Sequence, residues 1–287
     1  MAVSSIAALI CTTAEAFSRA GIESPDLDAR LLLQHVLGLD RAGIILRWNE
    51  PVDAATQERL AELAGRRLNR EPLAYITAER EFWSLPFALS PDVLIPRPET
   101  EFLLEQVLLR VREHNVRHAL DLGCGSGVIA VVLALELGCA VSAVDCSAAA
   151  LKLATANARR HGVEARINWL CGDFFKALPA GQRYDLLVSN PPYVAVHEIE
   201  HLQPEVRLYE PHLALCGGVD GLDAIATISR LAGEVLHPNS MVFLEIGSDQ
   251  ADAVCHLFTT APHHYEEVQV LPDLAGRPRV LSARFVA

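Results

Sequence analysis

Four consecutive residues at the end of a predicted strand have the side chains needed to hold a small planar group. They are Asn190, Pro191, Pro192 and Tyr193, and they follow an apolar run at residues 184–189 that is typical of a buried strand. Prolines cannot donate to a sheet ladder, so the backbone must leave the sheet here. The Asn190 amide can donate and accept hydrogen bonds, and the Tyr193 ring offers a flat face. The stretch therefore predicts a rigid clamp for a planar group that carries an NH₂.

A glycine-rich loop earlier in the chain predicts a cofactor site. The loop consists of Gly123, Cys124, Gly125, Ser126 and Gly127. It lies between a predicted strand at residues 118–122 and a predicted helix at residues 128–137. Glycines at alternate positions let the backbone turn sharply and approach a ligand closely. Asp145 follows about 20 residues later, where an acid commonly accepts hydrogen bonds from ribose hydroxyls. Loop and acid together predict a cofactor with an adenosine part.

The glycine spacing distinguishes two classes of cofactor. A dinucleotide site needs glycine or alanine three positions after Gly125, and this chain has Val128 there. The spacing Gly-x-Gly-x-Gly is instead that of class I methyltransferases, which bind S-adenosylmethionine. A dehydrogenase is therefore the weaker alternative, and a strand–helix turn without a ligand is a third.

A second acid and an aromatic residue follow the next predicted strand. Asp173 is placed to accept the exocyclic amine of an adenine, and Phe174 to cover its face. The alternative for Phe174 is a position in the core, and the sequence favours neither.

The elements that position these residues indicate two domains. Residues 1–74 carry apolar side chains at helical spacing and predict a small helical domain. Residues 75–98 are rich in aromatics and prolines and predict a hairpin-like connector. Residues 99–287 begin with a predicted helix at 101–113 and then alternate strands with helices. This alternation predicts an α/β, Rossmann-like domain with a mostly parallel, seven-stranded sheet. The predicted strands cover residues 118–122, 140–144, 166–170, 184–189, 241–246, 265–271 and 279–285.

Composition narrows the function classes. The 287 residues carry a net charge of −12, which argues against tight, sequence-independent binding to nucleic acid. No apolar run approaches about 18 residues, and no basic residue precedes the first apolar stretch, so neither a membrane span nor a secretory signal is expected. The 7 cysteines include no C-x-x-C pair and the 11 histidines show no ligand spacing. A cytoplasmic protein without a bound metal is the expectation.

The order of these motifs resembles the PrmC/HemK family. Its members are S-adenosylmethionine-dependent methyltransferases that act on the glutamine of the GGQ motif in peptide chain release factors. The resemblance spans nearly the whole chain, and it includes Ile-Pro-Arg-Pro-Glu-Thr-Glu at residues 95–101 and Glu-Val-Arg at residues 205–207. Asn-Pro-Pro-Tyr alone also occurs in enzymes that methylate amines of nucleic-acid bases. The connector and the helical N-terminal domain favour the protein substrate.

The resemblance implies S-adenosylmethionine as cofactor, a release factor as partner and a role for each motif residue. The implied cofactor-binding residues are Gly123, Cys124, Gly125, Ser126, Gly127, Asp145, Phe174 and Asn190. The implied catalytic residues are Asn190, Pro191 and Tyr193, with Pro192 joining them around the substrate glutamine. The Asn190 oxygen and the Pro191 carbonyl are expected to accept the two N–H groups of the glutamine amide, while Tyr193 packs against it. A monomer, with substrate docked by the N-terminal helices, is expected.

Some positions leave alternatives open. Ala78 stands where the family pattern has glycine, which indicates a position that does not require glycine. Arg97 and Glu99 form either a local ion pair or part of the border of the cofactor pocket. A nucleic-acid base methyltransferase and a non-enzymatic binding module remain as competing functions. The acidic charge disfavours the former, and the intact motifs disfavour the latter.

Overall fold

The protein divides into two compact units. The structure, a computed structural model, describes residues 4–112 and 114–286. The first unit comprises Met1–Glu79 and Gln203–Tyr209, and the second comprises Arg80–Leu202 and Glu210–Ala287. The predicted boundaries used contiguous segments only, so they did not include Gln203–Tyr209 in the first unit. The docking role of the N-terminal domain stays a prediction.

Helices dominate the first unit, and strands and helices alternate in the second. The described helices are α1 (Ile6–Arg19), α2 (Pro25–Leu37), α3 (Arg41–Leu46), α4 (Ala54–Leu68), α5 (Leu73–Ile76), α6 (Pro98–Arg110), α7 (Val128–Glu136), α8 (Ala148–Arg160), α9 (Pro204–Tyr209), α10 (His212–Leu215), α11 (Asp223–Leu231) and α12 (Ala251–Thr259). The described strands are β1 (Glu79–Phe82), β2 (Leu85–Ala88), β3 (His118–Leu122), β4 (Ala140–Asp145), β5 (Ile167–Cys171), β6 (Tyr184–Ser189), β7 (Leu236–Glu245), β8 (Tyr265–Pro272) and β9 (Pro278–Phe285).

Local caps set the helix ends of the first unit. Pro25 begins α2, a position where the N–H that proline lacks would have no partner within the helix. The Asp53 carboxylate caps α4 by accepting the Thr56 N–H at 2.9 Å. The short helix α3 has too few residues to show helical spacing in the sequence. Asp40 caps this helix by accepting the N–H of residue 43 at 2.7 Å. The core of this unit includes Ile6, Ile10, Phe17, Leu32, Leu33, Leu60 and Leu63.

A buried cluster of charges ties α9 to the first unit. The Arg67 side chain donates to Asp28 Oδ2 at 2.8 Å and to Glu205 Oε1 at 2.9 Å. Arg70 donates to Glu205 Oε2 at 2.8 Å. Burial raises the pKa of Glu205, but hydrogen bonds from its own backbone and from both arginines outweigh it, so the pKa lies below its usual value. These ion pairs explain why Gln203–Tyr209 belongs with the helices.

The predicted connector contains a two-stranded hairpin of β1 and β2. Trp83 and Ser84 form its turn with φ of 56° each, the left-handed backbone that two-residue hairpin loops require. The Glu101 carboxylate accepts the Trp83 N–H at 2.7 Å. Ala78, just before β1, has φ of 57°. Glycine adopts this conformation without strain, so the expectation that the position does not require glycine stays a prediction.

The second unit contains the seven-stranded sheet. Its strand order is β5-β4-β3-β6-β7-β9-β8, with parallel pairs from β5 to β7 and antiparallel pairs at β9 and β8. The prediction of a mostly parallel α/β sheet is confirmed. Strand β7 begins at Leu236, before the predicted residue 241, and α6 begins at Pro98, before the predicted residue 101. The predicted end of that helix, Glu113, lies outside the described residues.

Apolar side chains cover both faces of this sheet. One face packs against α6 and α7, and α7 is buried through most of its length. The other face packs against α11 and α12 through residues such as Ile225, Ile228 and Phe258. Within residues 4–112 and 114–286, no helix is both long and apolar enough to span a bilayer. The carboxyl ends of the parallel strands lie at one edge of this sheet, and helices pack against both of its faces.

Candidate active site

The glycine loop and the Asn-Pro-Pro-Tyr segment leave the sheet side by side. Strands β3 and β6 are parallel neighbours, with Leu122 opposite Ser189. The buried Ser189 hydroxyl donates to the Leu122 carbonyl at 2.6 Å. A Cβ added to Gly123 would lie 4.0 Å from the Asn190 carbonyl oxygen. The strand order reverses at this pair, because β4 lies beyond β3 and β7 beyond β6, which is where open α/β sheets bind ligands.

Backbone contacts hold the glycine loop in a fixed turn. The Gly123 and Cys124 N–H groups donate to the Val144 carbonyl at 2.8 and 3.0 Å. Gly127 has φ of 83°, and a Cβ there would lie 2.9 Å from the Ala154 Cβ. Gly127 is therefore required for packing. Gly125 has φ of 52° and a Cβ there would meet nothing within 4 Å, so its backbone faces open space.

Asp145, at the end of β4, is anchored to that loop. Its Oδ2 accepts the Gly125 N–H at 2.8 Å, and its Oδ1 accepts the Ser147 N–H at 2.8 Å. Each carboxylate oxygen keeps a further lone pair for a hydroxyl. An adenosine-type cofactor fits this arrangement, since the open side of Gly125 lies next to a half-buried acid.

Two predicted cofactor residues can contribute only through their backbone. Cys124 is 4% exposed and Ser126 is 3% exposed, so neither side chain faces solvent. Burial raises the pKa of the Cys124 thiol well above its ordinary value, which makes it a poor nucleophile. The Ser126 carbonyl already accepts from Asn157 at 2.9 Å.

Phe174 lies in a strained turn at the edge of the core. It has φ of 41°, is half-buried and packs against the cluster under α11 and α12. It also lines a cavity of about 360 Å³ together with Pro192 and Asp223. The exposed Asp173 carboxylate accepts from Lys176 at 2.6 Å. Phe174 therefore packs partly against the core, which is one of its two alternatives, and contact with an adenine stays a prediction for both residues.

The Asn190 side chain is oriented by a residue from α6. Its Nδ2 donates to the Thr100 Oγ1 at 3.0 Å. Within the described part of the chain, nothing donates to its Oδ1 or to the Pro191 carbonyl. An amide whose nitrogen is engaged presents its oxygen as an acceptor. The half-buried Asn190 therefore offers an acceptor site beside the glycine loop.

Tyr193 is fixed at both its hydroxyl and its backbone. Its hydroxyl donates to Glu245 Oε1 at 3.1 Å, and its carbonyl accepts from Gln250 Nε2 at 3.0 Å. A Cβ on Gly221 would lie 2.3 Å from the Tyr193 carbonyl oxygen, so this backbone approach requires glycine. Burial raises the pKa of Tyr193, and the charge of Glu245 raises it further. The side chain is a neutral hydrogen-bond donor.

Glu245, at the end of β7, completes the site. It is fully buried, and its Oε2 accepts the Thr100 hydroxyl at 2.7 Å. Burial raises the pKa of Glu245, while the Thr100 and Tyr193 hydroxyls and the nearby Arg279 oppose this. Sequence reasoning missed Thr100, Glu245 and Gln250. An acid that interrupts an apolar strand at the same sheet edge as Asn190 was the available signal for Glu245.

Arg97 has a different partner from the one considered. Its guanidinium pairs with Glu210, whose other oxygen accepts the Ile95 N–H at 3.1 Å. The interpretation of an Arg97–Glu99 ion pair is therefore wrong.

Among the described residues, no group of three or more His, Cys, Asp or Glu side chains is arranged to hold a metal ion.

Sequence comparison places these features in a known family. The PrmC N-terminal domain family matches residues 9–77, and the methyltransferase small domain family matches residues 98–205. A release factor glutamine methyltransferase of Bordetella pertussis is 46% identical over 259 residues, which cover 89% of this chain and 93% of that protein. One from Cereibacter sphaeroides is 44% identical over 269 residues, covering 93% and 94%. The chain belongs to the release factor glutamine methyltransferase family.

Membership in the release factor glutamine methyltransferase family confirms the predicted enzyme class. The protein is a methyltransferase that uses S-adenosylmethionine, and the dehydrogenase and binding-module alternatives fall away. A methyltransferase crystal structure from Pyrococcus furiosus has a TM-score of 0.53 at 15% identity, covering 77% of this chain and 98% of that one. That likeness concerns the fold.

Proposed function

We propose that this enzyme methylates the side-chain amide nitrogen, N5, of the glutamine in the GGQ motif of peptide chain release factors. Relatives at 41–46% identity bear the name release factor glutamine methyltransferase and match most of the chain. The observation that carries the site assignment is the Asn190–Thr100 hydrogen bond, because it leaves the Asn190 oxygen as a free acceptor beside the glycine loop.

Asn190 and Pro191 would hold the substrate amide. An amide nitrogen carries two N–H groups, and the Asn190 Oδ1 and the Pro191 carbonyl supply two acceptors on one stiff segment. Both hydrogen bonds orient the nitrogen without removing a proton from it. Positioning of this kind supplies about 7–11 kcal/mol of a barrier in favourable cases. Pro192 limits the motion of the segment, and Tyr193 closes it.

The glycine loop and Asp145 would hold the methyl donor. Gly123 and Gly125 let the backbone approach it, and Asp145 accepts its ribose hydroxyls. When bound, S-adenosylmethionine supplies a methyl group on a sulfonium, so the C–N bond forms as the C–S bond breaks, a neutral thioether leaves and the nitrogen loses a proton to water. Gly127 contributes by packing against α8 and keeping the turn in place.

The site needs no general base. The alkylated nitrogen is far more acidic than the starting amide and sheds its proton readily. Both oxygens of Glu245 are engaged with Thr100 and Tyr193. The histidines nearest in sequence, His197 and His201, are exposed and lie beyond the clamp. The residues of the clamp therefore act by orientation rather than by proton transfer.

The helical unit would bind the release factor. It carries large apolar side chains in solvent on α2 and α3, with Leu27 56%, Ile45 61% and Leu46 85% exposed. Exposed apolar side chains that form a contiguous patch mark protein interaction sites. The monomeric state, the absence of nucleic-acid binding and the cytoplasmic location stay predictions.

Transfer of a labelled methyl group tests the proposed function. Purified enzyme is supplied with labelled S-adenosylmethionine and a release factor, the same factor with its GGQ glutamine replaced by alanine, or RNA and DNA. We expect label only on the unaltered factor. Label on nucleic acid, or equal label on the altered factor, would overturn the assignment.

Leu46→Asp should raise KM for the factor with kcat unchanged, whereas Leu274→Asp, at a fully exposed position of the sheet unit, should change neither.

A further inference from the structure

One buried carboxylate connects three separate elements behind the clamp. Glu245 at the end of β7 accepts from Thr100 in the first turn of α6 at 2.7 Å and from Tyr193 at 3.1 Å. Thr100 in turn accepts from Asn190 at 3.0 Å. Glu245 is 0% exposed and Thr100 is 2% exposed, so water cannot replace these partners. Both ends of the Asn-Pro-Pro-Tyr segment are therefore held by a single acid.

The protons in this chain of hydrogen bonds can be assigned by counting. A hydroxyl has one proton, and Thr100 gives that proton to Glu245. The Thr100 oxygen can then only accept, so it must face the Asn190 NH₂ rather than the Asn190 oxygen. Without an acceptor behind it, the Thr100 hydroxyl could turn and donate to Asn190 Oδ1. The amide would then flip and present its NH₂ to the substrate.

We propose that Glu245, acting through Thr100, is a positioning residue that fixes which end of the Asn190 amide faces the substrate. The inference rests on the proposed function, and it specifies the substrate class further. The site accepts a group that donates hydrogen bonds, such as a primary amide, and rejects a carboxylate or an ester. Glutamate at the target position would place an acceptor against the Asn190 oxygen and the Pro191 carbonyl.

A carboxylate suits this role better than a neutral group of the same shape. An ionised glutamate has two oxygens that only accept, so both hydroxyls must point toward it. A glutamine at position 245 would donate from one end and reverse one of the two hydroxyls. Burial raises the pKa of Glu245, and the Thr100 and Tyr193 hydroxyls with the Arg279 guanidinium act against this by stabilising the ionised form. Glu245→Gln is therefore an informative change with almost no difference in volume.

Steady-state kinetics with the full-length enzyme separate positioning from binding. Thr100→Val removes the hydroxyl and keeps the shape, and we expect kcat to fall about 10- to 100-fold. The Kd for S-adenosylmethionine should stay within about twofold of the wild-type value, because Thr100 orients the residue that binds the substrate amide and not the methyl donor. Thr100→Ser should recover most of the lost turnover, and Glu245→Gln, which can keep only one of the two hydroxyls in its orientation, should lower kcat by no more than Thr100→Val does. Thr259→Val, which removes a helical hydroxyl bonded to the Cys255 carbonyl at 2.9 Å, serves as the matched control.

A double mutant tests whether Thr100 acts through Asn190. Adding Thr100→Val to Asn190→Ala should cause no further loss, because the group to be oriented is already gone. Multiplicative losses would overturn the inference. So would a Thr100→Ser variant as slow as Thr100→Val.

A spectroscopic measurement keeps the inference independent of activity. In protein labelled with ¹⁵N-asparagine, the Asn190 NH₂ signal, assigned from its loss in Asn190→Ala, should change in Thr100→Val and persist in Thr100→Ser. An unchanged Asn190 signal in Thr100→Val, or a changed one in Thr100→Ser, would overturn the positioning role whether or not the enzyme labels a release factor. Failure of the wild type to label the factor would overturn the proposed function alone.

Discussion

The Tyr193 hydroxyl donates to the buried Glu245 carboxylate at 3.1 Å. The ring thus closes the clamp with its polar end turned inward, toward the end of β7. Tyr193→Phe keeps the ring and removes this donor. We expect the free energy of unfolding to fall by about 1–3 kcal/mol, because a buried acceptor loses a hydrogen-bond partner. Chemical denaturation checks this. Turnover should fall roughly tenfold, less than for a change at Asn190.

A loss at Asn190 should affect turnover far more than binding of the methyl donor. Asn190→Ala deletes one of the two acceptors proposed for the substrate amide, and we expect kcat to fall at least about 10²-fold. Asn168→Ala removes an exposed amide on β5 and should leave kcat unchanged. Single-turnover transfer and calorimetric binding of S-adenosylmethionine measure the two properties separately. Near-normal turnover in Asn190→Ala would exclude the proposed mechanism.

Two glycines of the same loop should respond differently to alanine. At Gly127 a Cβ would meet the Ala154 Cβ at 2.9 Å, so Gly127→Ala should lower the free energy of unfolding by at least about 2 kcal/mol. At Gly125 a Cβ meets nothing within 4 Å, so only backbone strain of about 1 kcal/mol is expected. Gly125→Ala should instead weaken binding of S-adenosylmethionine. If Gly125→Ala lost more thermal stability than Gly127→Ala and kept its affinity for S-adenosylmethionine, these separate roles of the two glycines would be contradicted.

The buried Asp121 should make the sheet unit less stable as pH rises. Burial raises the pKa of Asp121 to about 8, and its Oδ1 has no hydrogen-bond partner. The pKa of an unfolded aspartate is about 3.9, so between these two values the unfolded chain binds fewer protons than the folded one. The stabilising contribution is therefore complete below about pH 4 and is lost as pH rises through about 8.

Asp121→Asn checks this pH dependence. The carboxamide cannot ionise, so the fall in unfolding free energy between pH 5 and pH 8 should become shallower than in the wild type. Some slope should remain, because the pKa of Glu245 is raised as well. Denaturation curves at several pH values measure both slopes. Equal slopes in the two proteins would show that Asp121 is ionised throughout.

Ala78 offers a stabilising change. Its φ of 57° strains any residue with a Cβ, and Ala78→Gly should raise the free energy of unfolding by about 0.5–1 kcal/mol. Ala61→Gly, at an exposed position inside α4, should lower it by about 1 kcal/mol. If the backbone conformation at each position decides the outcome, thermal unfolding will show changes of opposite sign in the stability of the two variants. A drop in both would contradict the strain at Ala78.

The sequence by itself determined the parts that depend on neighbouring residues. Strand–helix alternation predicted the mostly parallel sheet, and β6 spans the predicted residues 184–189. The glycine spacing predicted the sharp turn, and two prolines predicted the departure from the sheet at Asn190. Each of these follows from a local constraint on φ, ψ or hydrogen bonding that a short stretch of sequence contains.

The tertiary structure alone decided which distant residues meet. Thr100 contacts Asn190 across 90 positions, Tyr193 contacts Glu245 across 52, and Arg97 contacts Glu210 across 113. Periodicity does not encode such pairs, because any of several polar residues could satisfy a buried partner until the strand order places one within reach. The same holds for Glu205, whose ion pairs bring Gln203–Tyr209 to the helical unit. Local sequence thus provided the clamp, and the packing of β7 and α6 behind it decided which way its amide faces.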